Sequence, residues 1–128
     1  MKNQPNRPTE AELEILQLLW QQHPQTVREV NDRLNRRKET GYTTTLKILQ
    51  IMLEKGFVRR TAEGRTHHYS PVLKEDETQR ALLDRFLDTA FRGSAMKMVT
   101  QLLGHRRATP QELDQVRDLL NKMEGDDA

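Results

Sequence analysis

Apolar residues recur at the three- and four-residue spacing of amphipathic helices in six segments of the chain, and two short runs between the third and fourth segments have strand character. These runs extend from Phe57 to Thr61 and from Arg65 to Ser70, with an Ala-Glu-Gly turn between them and Pro71 after them. The pattern predicts three helices, a β-hairpin and three further helices. The helices are predicted at about residues 10–22, 27–36, 42–55, 74–91, 94–104 and from 110 onward.

Capping signals indicate where several of these helices begin. Thr-x-x-Glu sequences starting at Thr9, Thr26 and Thr109 match the capping box, in which a Thr hydroxyl and a Glu carboxylate bind amides at the helix start. For the third helix, the Gly-Tyr-Thr sequence from Gly41 predicts a cap by a Thr hydroxyl. Gly56 suits the left-handed residue that commonly follows a last helical turn.

The third helix has one apolar and one polar side. At ~100° per residue, its polar residues cluster within ~40° of Thr43, and its large apolar residues lie on the other side. The polar strip consists of Thr43, Lys47, Gln50 and Glu54, and the apolar side of Leu46, Leu49, Met52 and Leu53. We expect the apolar side to pack in a core and the polar strip to stay accessible.

A helix followed at once by a basic hairpin is the order of a winged helix-turn-helix, whose second helix lies in the major groove of DNA. We therefore expect Lys47 and Gln50 to reach base edges, and the threonines at the helix start to bind phosphate. Arg65, beside the turn, is placed to reach the DNA backbone or the minor groove. The candidate DNA-binding residues are Thr43, Thr44, Thr45, Lys47, Gln50, Arg59, Arg60 and Arg65. The alternative is that the polar strip only faces solvent.

The distribution of charge agrees with a DNA-binding first half. Residues 1–71 hold 12 Lys or Arg against 8 Asp or Glu, a net charge of +4, whereas residues 72–128 hold 9 against 11, a net charge of -2. The positive half is the one that carries the proposed reading helix, as contact with phosphates requires. The asymmetry is mild and would decide nothing by itself.

Composition excludes several other classes of protein. The chain has no cysteine, which rules out disulfides and thiolate metal sites and is compatible with a reducing cytoplasm. No apolar run approaches the ~18 residues of a membrane span, so we expect a cytoplasmic protein with no membrane binding of its own. His67 and His68 alternate between the two faces of a strand, so we expect no metal site and no cofactor. Without a phosphate loop or a nucleophile with its base, an enzyme is not expected.

The sequence of the second half predicts three short amphipathic helices. We do not expect these helices to form an independent hydrophobic core. With 34% apolar residues in 128, shared burial in an oligomer is expected. We favour a second copy of this region as the partner; the alternative is packing against the same chain. The predicted domains are a flexible arm at 1–8, a winged helix at 9–71 and a helical dimerisation region at 72–128. The candidate dimerisation residues are Leu82, Phe86, Leu87, Val99, Leu102, Leu113, Val116 and Leu120.

Several motifs together resemble the penicillinase-repressor family of bacterial transcriptional regulators (BlaI/MecI/CopY). The resemblance covers nearly the whole chain. The matching segments are Thr9 to Leu16 with Leu19-Trp20, Pro24 to Val30, Tyr42-Thr43-Thr44, Leu53 to Val58, Gly64-Arg65, Tyr69-Ser70-Pro71 and Phe86-Leu87.

The resemblance implies a homodimeric repressor that binds a double-stranded operator with dyad symmetry through an N-terminal winged helix. In that family a membrane-bound sensor metalloprotease relieves repression by causing cleavage in the C-terminal region. The family's scissile bond, Asn-Phe in its best-known members, corresponds to Gln101-Leu102 here, which departs from that sequence. The copper-responsive branch carries a C-terminal cysteine cluster that this chain lacks.

Two other functions stay open from the residues alone. In one, the third helix docks a protein partner instead of DNA, and the salt dependence of binding distinguishes the two. In the other, the chain is a repressor controlled by a small ligand. This function stays open because no sequence feature marks or excludes a ligand pocket.

Overall fold

A computed structural model describes residues 7–105 and 108–127 of the chain. Six helices and three strands lie within these residues. Residues 1–6 of the predicted flexible arm fall outside them. The elements are α1 (Glu10–Gln21), β1 (Gln25–Thr26), α2 (Val27–Asn35), α3 (Tyr42–Lys55), β2 (Val58–Glu63), β3 (Thr66–Pro71), α4 (Glu75–Phe91), α5 (Ala95–Gly104) and α6 (Pro110–Asp127).

The helices begin and end largely where the local signals predict. Capping boxes at Thr9 and Thr26 start α1 and α2, and the reciprocal bonds of the predicted box between Thr109 and Glu112 are formed at the start of α6. Gly56 follows α3 with φ 81°, a left-handed conformation that glycine adopts without steric cost. The predicted Thr cap of α3 is wrong, because the N-cap is Gly41 and no side chain caps this helix.

The hairpin belongs to a three-stranded antiparallel sheet with the order β1-β3-β2. The sequence pattern predicts β2 and β3 but misses β1, which has only two residues. Gln25 pairs with Tyr69 and Thr26 with His68, so β1 joins the base of the hairpin to the start of α2. This pairing fixes the position of the wing relative to the helices.

The core lies among α1, α2, α3 and the base of the hairpin. Partly buried apolar residues pack around it, and the half-buried Trp20 donates its indole N–H to the carbonyl of Leu73 at 2.9 Å. The buried apolar residues are Ile15, Leu16, Leu19, Val27, Val30, Leu49, Met52, Phe57, Val58 and Tyr69. This arrangement confirms the predicted fold class, mainly α with a winged helix-turn-helix followed by helices.

The chain divides into two compact units, which we call the N-terminal unit (Met1–Leu83) and the C-terminal unit (Asp84–Ala128). The N-terminal unit extends past the winged-helix end predicted at Pro71, because Leu73 packs against the core and Thr78 is buried. In the C-terminal unit, none of the side chains described between residues 84 and 125 is buried. Phe86 and Phe91 meet edge to face there, with ring centroids 5.8 Å apart.

Candidate nucleic-acid interface

The exposed side of α3 carries the polar strip that the sequence predicts. Its accessible side chains recur at three- and four-residue spacing, and Leu49 and Met52 on the opposite side are fully buried. The core thereby fixes which side of α3 faces outward. The exposed polar residues are Thr43, Thr44, Lys47, Gln50 and Glu54.

Thr45 does not belong to this surface, and its prediction as a DNA contact is wrong. Its side chain is 0% exposed. Its hydroxyl accepts a hydrogen bond from Asn31 Nδ2 at 2.8 Å and donates to the carbonyl of Gly41 at 3.3 Å. At ~100° per residue Thr45 lies ~200° from Thr43, so it points toward α2 and not outward. The three successive threonines therefore do not form one phosphate site.

The first turn of α3 presents backbone amides without a side-chain cap. The first backbone bond of the helix runs from the amide of Thr45 to the carbonyl of Gly41 at 3.1 Å, so the amides of Tyr42, Thr43 and Thr44 precede the helical hydrogen bonds. Uncapped amides at the positive end of a helix dipole favour an anion. A phosphate oxygen is therefore chemically suited to this end of α3.

A groove of about 400 Å³ lies beside this helix end. It is bounded by the start of α2, the start of α3 and the outer half of β3. Tyr42, 48% exposed, and Leu46 form its α3 wall, while the chargeable side chains are Arg28, Arg65 and His67. The groove is lined by basic residues and by no Asp or Glu, so its charge is positive.

Sequence reasoning missed Arg28, Tyr42 and His67 as parts of this surface. Arg28 is in the first turn of α2, and only the pairing of Thr26 with His68 brings that turn beside the wing. A two-residue strand leaves no periodic signal in the sequence, so nothing local marks the proximity. Tyr42 lies at the exposed first position of α3, next to the predicted contact Thr43.

The register of the wing separates its arginines. Arg60 pairs with Tyr69 and Arg59 with Ser70, and directly paired residues of antiparallel strands point to the same face. Because Tyr69 lines the groove, Arg60 lies on the groove face and Arg59 on the opposite face. Arg65 is at the tip, next to Gly64, which has φ 66°.

The cations of this surface are not neutralised within the described chain. The ion pairs found among residues 7–105 and 108–127 join Lys55 to Glu12, His68 to Glu63 and Arg117 to Asp114. None involves Arg28, Lys47, Arg59, Arg60 or Arg65. Their positive charge remains available to an external anion.

The described residues form neither a metal-binding cluster nor a membrane-spanning helix. No group of three His, Asp or Glu that could hold a metal ion occurs among them. None of their helices combines the length and apolar character needed to cross a membrane.

The apolar residues predicted to form a dimer interface lie on α4, α5 and α6. Phe86, Val99, Leu102 and Leu120 are exposed, with 56% of Phe86 and 54% of Leu120 accessible. The others, Leu82, Leu87, Leu113 and Val116, are half-buried, and Leu82 belongs to the N-terminal unit. The predicted cleavage position, Gln101-Leu102, is exposed within α5.

Comparisons with known proteins agree with this architecture. The family model described as Penicillinase repressor matches residues 8–122. The chain is similar to the transcriptional regulator BlaI of Mycobacterium tuberculosis (strain ATCC 25618 / H37Rv), with 30% identity over 117 residues that cover 90% of this chain and 83% of BlaI. It is also similar to the methicillin resistance regulatory protein MecI of Staphylococcus aureus, with 18% identity over 122 residues covering 95% and 99% of the two chains. The solution structure of the DNA binding domain of the repressor BlaI matches with a TM-score of 0.52 and 24% identity, over 59% of this chain and 93% of that domain.

Proposed function

The chain belongs to the penicillinase repressor family, and we propose that it is a cytoplasmic, sequence-specific transcriptional repressor that binds a double-stranded operator with dyad symmetry as a homodimer. The observation that carries this proposal is the exposed polar strip of α3 beside an unneutralised basic groove. A helix with accessible Lys and Gln side chains can read base edges, and adjacent cations can hold the phosphates on either side.

The surface divides into residues that read bases and residues that bind the backbone. Lys47 and Gln50 lie in the middle of the strip, where side chains enter the major groove. Thr43 and Thr44 bind phosphate together with the uncapped amides of the first turn. The wing and α2 supply further backbone contacts. These are Arg28, Tyr42, Arg60, Arg65 and His67 on the groove side, and Arg59 on the other face of the wing.

The C-terminal unit supplies the dimer contacts in this proposal. None of the described side chains of α5 and α6 is buried, and several of the exposed ones are apolar. Exposed apolar surface of this kind commonly binds a protein partner. A second copy of the same unit would cover the exposed apolar side chains of both copies. It would also place two reading helices on one operator. Burial of Leu102 and Leu120 against the partner follows from this arrangement.

Derepression by proteolysis is the family mechanism that we extend to this chain. The bond between Gln101 and Leu102 lies in α5, whose apolar residues also belong to the proposed interface. A cut there removes α6 and part of α5 from the chain and so weakens the dimer. A membrane-bound sensor protease is the indirect partner that this mechanism requires.

The test is a fluorescence-anisotropy titration of the full chain against the DNA upstream of its own gene and against a shuffled sequence, at several salt concentrations. We expect at least ~10³-fold tighter binding to the native DNA, with log K falling by ~0.9 per neutralised phosphate for each unit of log salt. Equal, weak binding to both DNAs would refute a sequence-specific repressor. If the chain instead binds a protein partner with an affinity that does not depend on salt concentration, the result would favour a protein-interaction module.

The variant Lys47→Ala separates base reading from phosphate contact. We expect it to weaken operator binding by ~1–3 kcal/mol and to leave binding to shuffled DNA nearly unchanged. Lys122→Ala in α6 removes an equivalent charge outside the proposed surface and is the matched control. An equal loss on both DNAs for Lys47→Ala would assign the lysine to a phosphate.

A further inference from the structure

A buried hydrogen-bonded cluster joins α2 to α3 inside the otherwise apolar contact between the two helices. Asn31, on α2, and Thr45, on α3, are both buried. Asn31 Nδ2 donates to the Thr45 hydroxyl at 2.8 Å and to the carbonyl of Thr40 at 2.9 Å. Both amide protons of Asn31 are therefore used, one by the turn between the helices and one by α3.

The partners fix the direction of every bond in this cluster. The Thr40 carbonyl only accepts, so the nitrogen of the Asn31 amide must face it. The Thr45 hydroxyl accepts from Asn31, and its own proton goes to the carbonyl of Gly41 at 3.3 Å. A continuous chain of bonds thus runs from α2 through Thr45 to Gly41, the residue at which the reading helix begins.

Asn35 holds the turn from its outer side. Its Nδ2 donates to the carbonyls of Asn31 and Thr40, both at 2.8 Å, and its Oδ1 accepts from the amide of Thr40 at 2.9 Å. Thr40 is therefore bound through both its backbone groups by two asparagines of α2. If Asn31 lost its amide, the Thr40 carbonyl would still be hydrogen-bonded to Asn35.

Apolar packing alone leaves the rotation of a helix loosely determined, because the hydrophobic effect has no direction. A hydrogen bond has a narrow range of length and angle, so one buried pair can select a single arrangement among several that pack equally well. At the ~5–6 Å radius of a helix, a rotation of ~10° moves surface atoms by ~1 Å. That displacement exceeds the spread of hydrogen-bond lengths, so it would disturb base contacts.

We propose that Asn31 is a positioning residue, which acts through Thr45 to fix the rotation of α3 and thereby the operator specificity of Lys47 and Gln50. Thr45 lies on the side of α3 opposite the polar strip, so the bond holds the helix from behind. The inference rests on the proposed function for its DNA readout, while the orientation of α3 can be measured without DNA.

The first experiment compares Thr45→Val with Thr45→Ser in the full chain. Valine keeps the shape of threonine but removes the hydroxyl, whereas serine keeps the hydroxyl and removes the methyl group. We expect Thr45→Val to reduce the ratio of operator to shuffled-DNA affinity by about tenfold, as for one lost base contact, with an unchanged salt slope. We expect Thr45→Ser to keep the ratio, although it loses buried methyl contacts and melts at a lower temperature.

The double variant Asn31→Leu with Thr45→Val separates positioning from stability. It replaces both partners by apolar groups, a change that is often nearly neutral for folding because no buried donor is left unpaired. We expect its melting temperature to exceed that of Thr45→Val alone, while the affinity ratio stays low. If both Thr45 variants keep the wild-type ratio, or if the ratio in all variants only follows the melting temperature, the positioning role is wrong.

Amide chemical shifts along α3, measured without DNA, give the second readout. We expect the amides of Lys47 and Gln50 to shift in Thr45→Val and to stay unchanged in Thr45→Ser. If the wild-type chain binds operator and shuffled DNA equally, the proposed function fails. The chemical shifts still decide in that case whether Asn31 and Thr45 orient α3. Equal shifts in both variants would overturn the inference.

Discussion

Both units contain amphipathic helices, but only the N-terminal unit buries their apolar side chains among the described residues. The N-terminal unit packs apolar side chains of α1, α2, α3 and the hairpin into one core. The C-terminal unit has amphipathic helices as well, yet none of its described side chains is buried. The difference shows that an amphipathic stripe predicts a covered face without saying what covers it. In the N-terminal unit, the apolar faces are covered by other elements of the same chain.

Separating the units tests this contrast with the largest expected effect. The fragment 7–83 contains the whole described core and is expected to unfold in one cooperative transition that does not depend on concentration. The fragment 84–128 is expected to lose its helices on dilution, because its apolar faces need a partner. Circular dichroism over a dilution series measures both. Concentration-independent helix in the second fragment would contradict a shared core.

A cut at Pro71 is a useful companion to this experiment. It would remove Leu73, whose carbonyl accepts from the Trp20 indole, and the buried Thr78. A fragment ending there is therefore expected to be less stable than 7–83.

A matched pair of leucine substitutions sharpens the comparison within the full chain. Leu49→Ala in the buried side of α3 leaves a cavity and is expected to destabilise the N-terminal unit by about 2–5 kcal/mol. Leu120→Ala, on an exposed leucine of α6, is expected to change the unfolding free energy of that unit by less than about 0.5 kcal/mol.

The same pair reports on assembly. Leu120→Ala is expected to raise the dissociation constant of the dimer in sedimentation equilibrium, whereas Leu49→Ala changes it only by unfolding the chain. A Leu120→Ala chain that associates as tightly as the wild type would remove α6 from the proposed interface.

The capping boxes give the smallest and most local contrast. Glu12 caps α1 and also pairs with Lys55 at 2.8 Å, with its carboxylate side chain 5% exposed, whereas Glu112 makes only the cap of α6 among the residues that the structure describes. Glutamine can serve in either box, so each Glu→Gln substitution tests the charge alone. We expect Glu12→Gln to destabilise by about 1 kcal/mol, because Lys55 is partly exposed, and Glu112→Gln by a few tenths. Thermal melts of the two variants should therefore differ, and equal melts would mean that the pair with Lys55 contributes nothing.

The features that the sequence predicts correctly are those specified within a few residues. Capping boxes at Thr9 and Thr26, the left-handed Gly56 and the strand-turn-strand of the wing all depend on neighbours in the chain. The exposed strip of α3 follows from helical periodicity in the same way. Local signals therefore account for the helices, the hairpin and most of the candidate reading surface.

The features that it misses depend on residues far apart in sequence. The strand β1 exists because Gln25 pairs with Tyr69, and the groove exists because that pairing brings Arg28 to His67. The burial of Thr45 depends on Asn31 of another helix. No periodicity reports such contacts. The N-terminal unit extends beyond Pro71 for the same reason, since the carbonyl of Leu73 accepts a hydrogen bond from Trp20, which is 53 residues away.

The sheet has three strands at its base and two at its tip, and this difference bears on how such a protein can change. At His68 and Tyr69, β3 is paired on both sides, with β1 and with β2. From His67 to the turn at Gly64 and Arg65, only the two strands of the hairpin pair. A loop tip with few neighbours tolerates insertions that a doubly paired strand does not. The reach of the wing can thus lengthen or shorten in evolution, or by engineering, while the helix that reads the bases keeps its place.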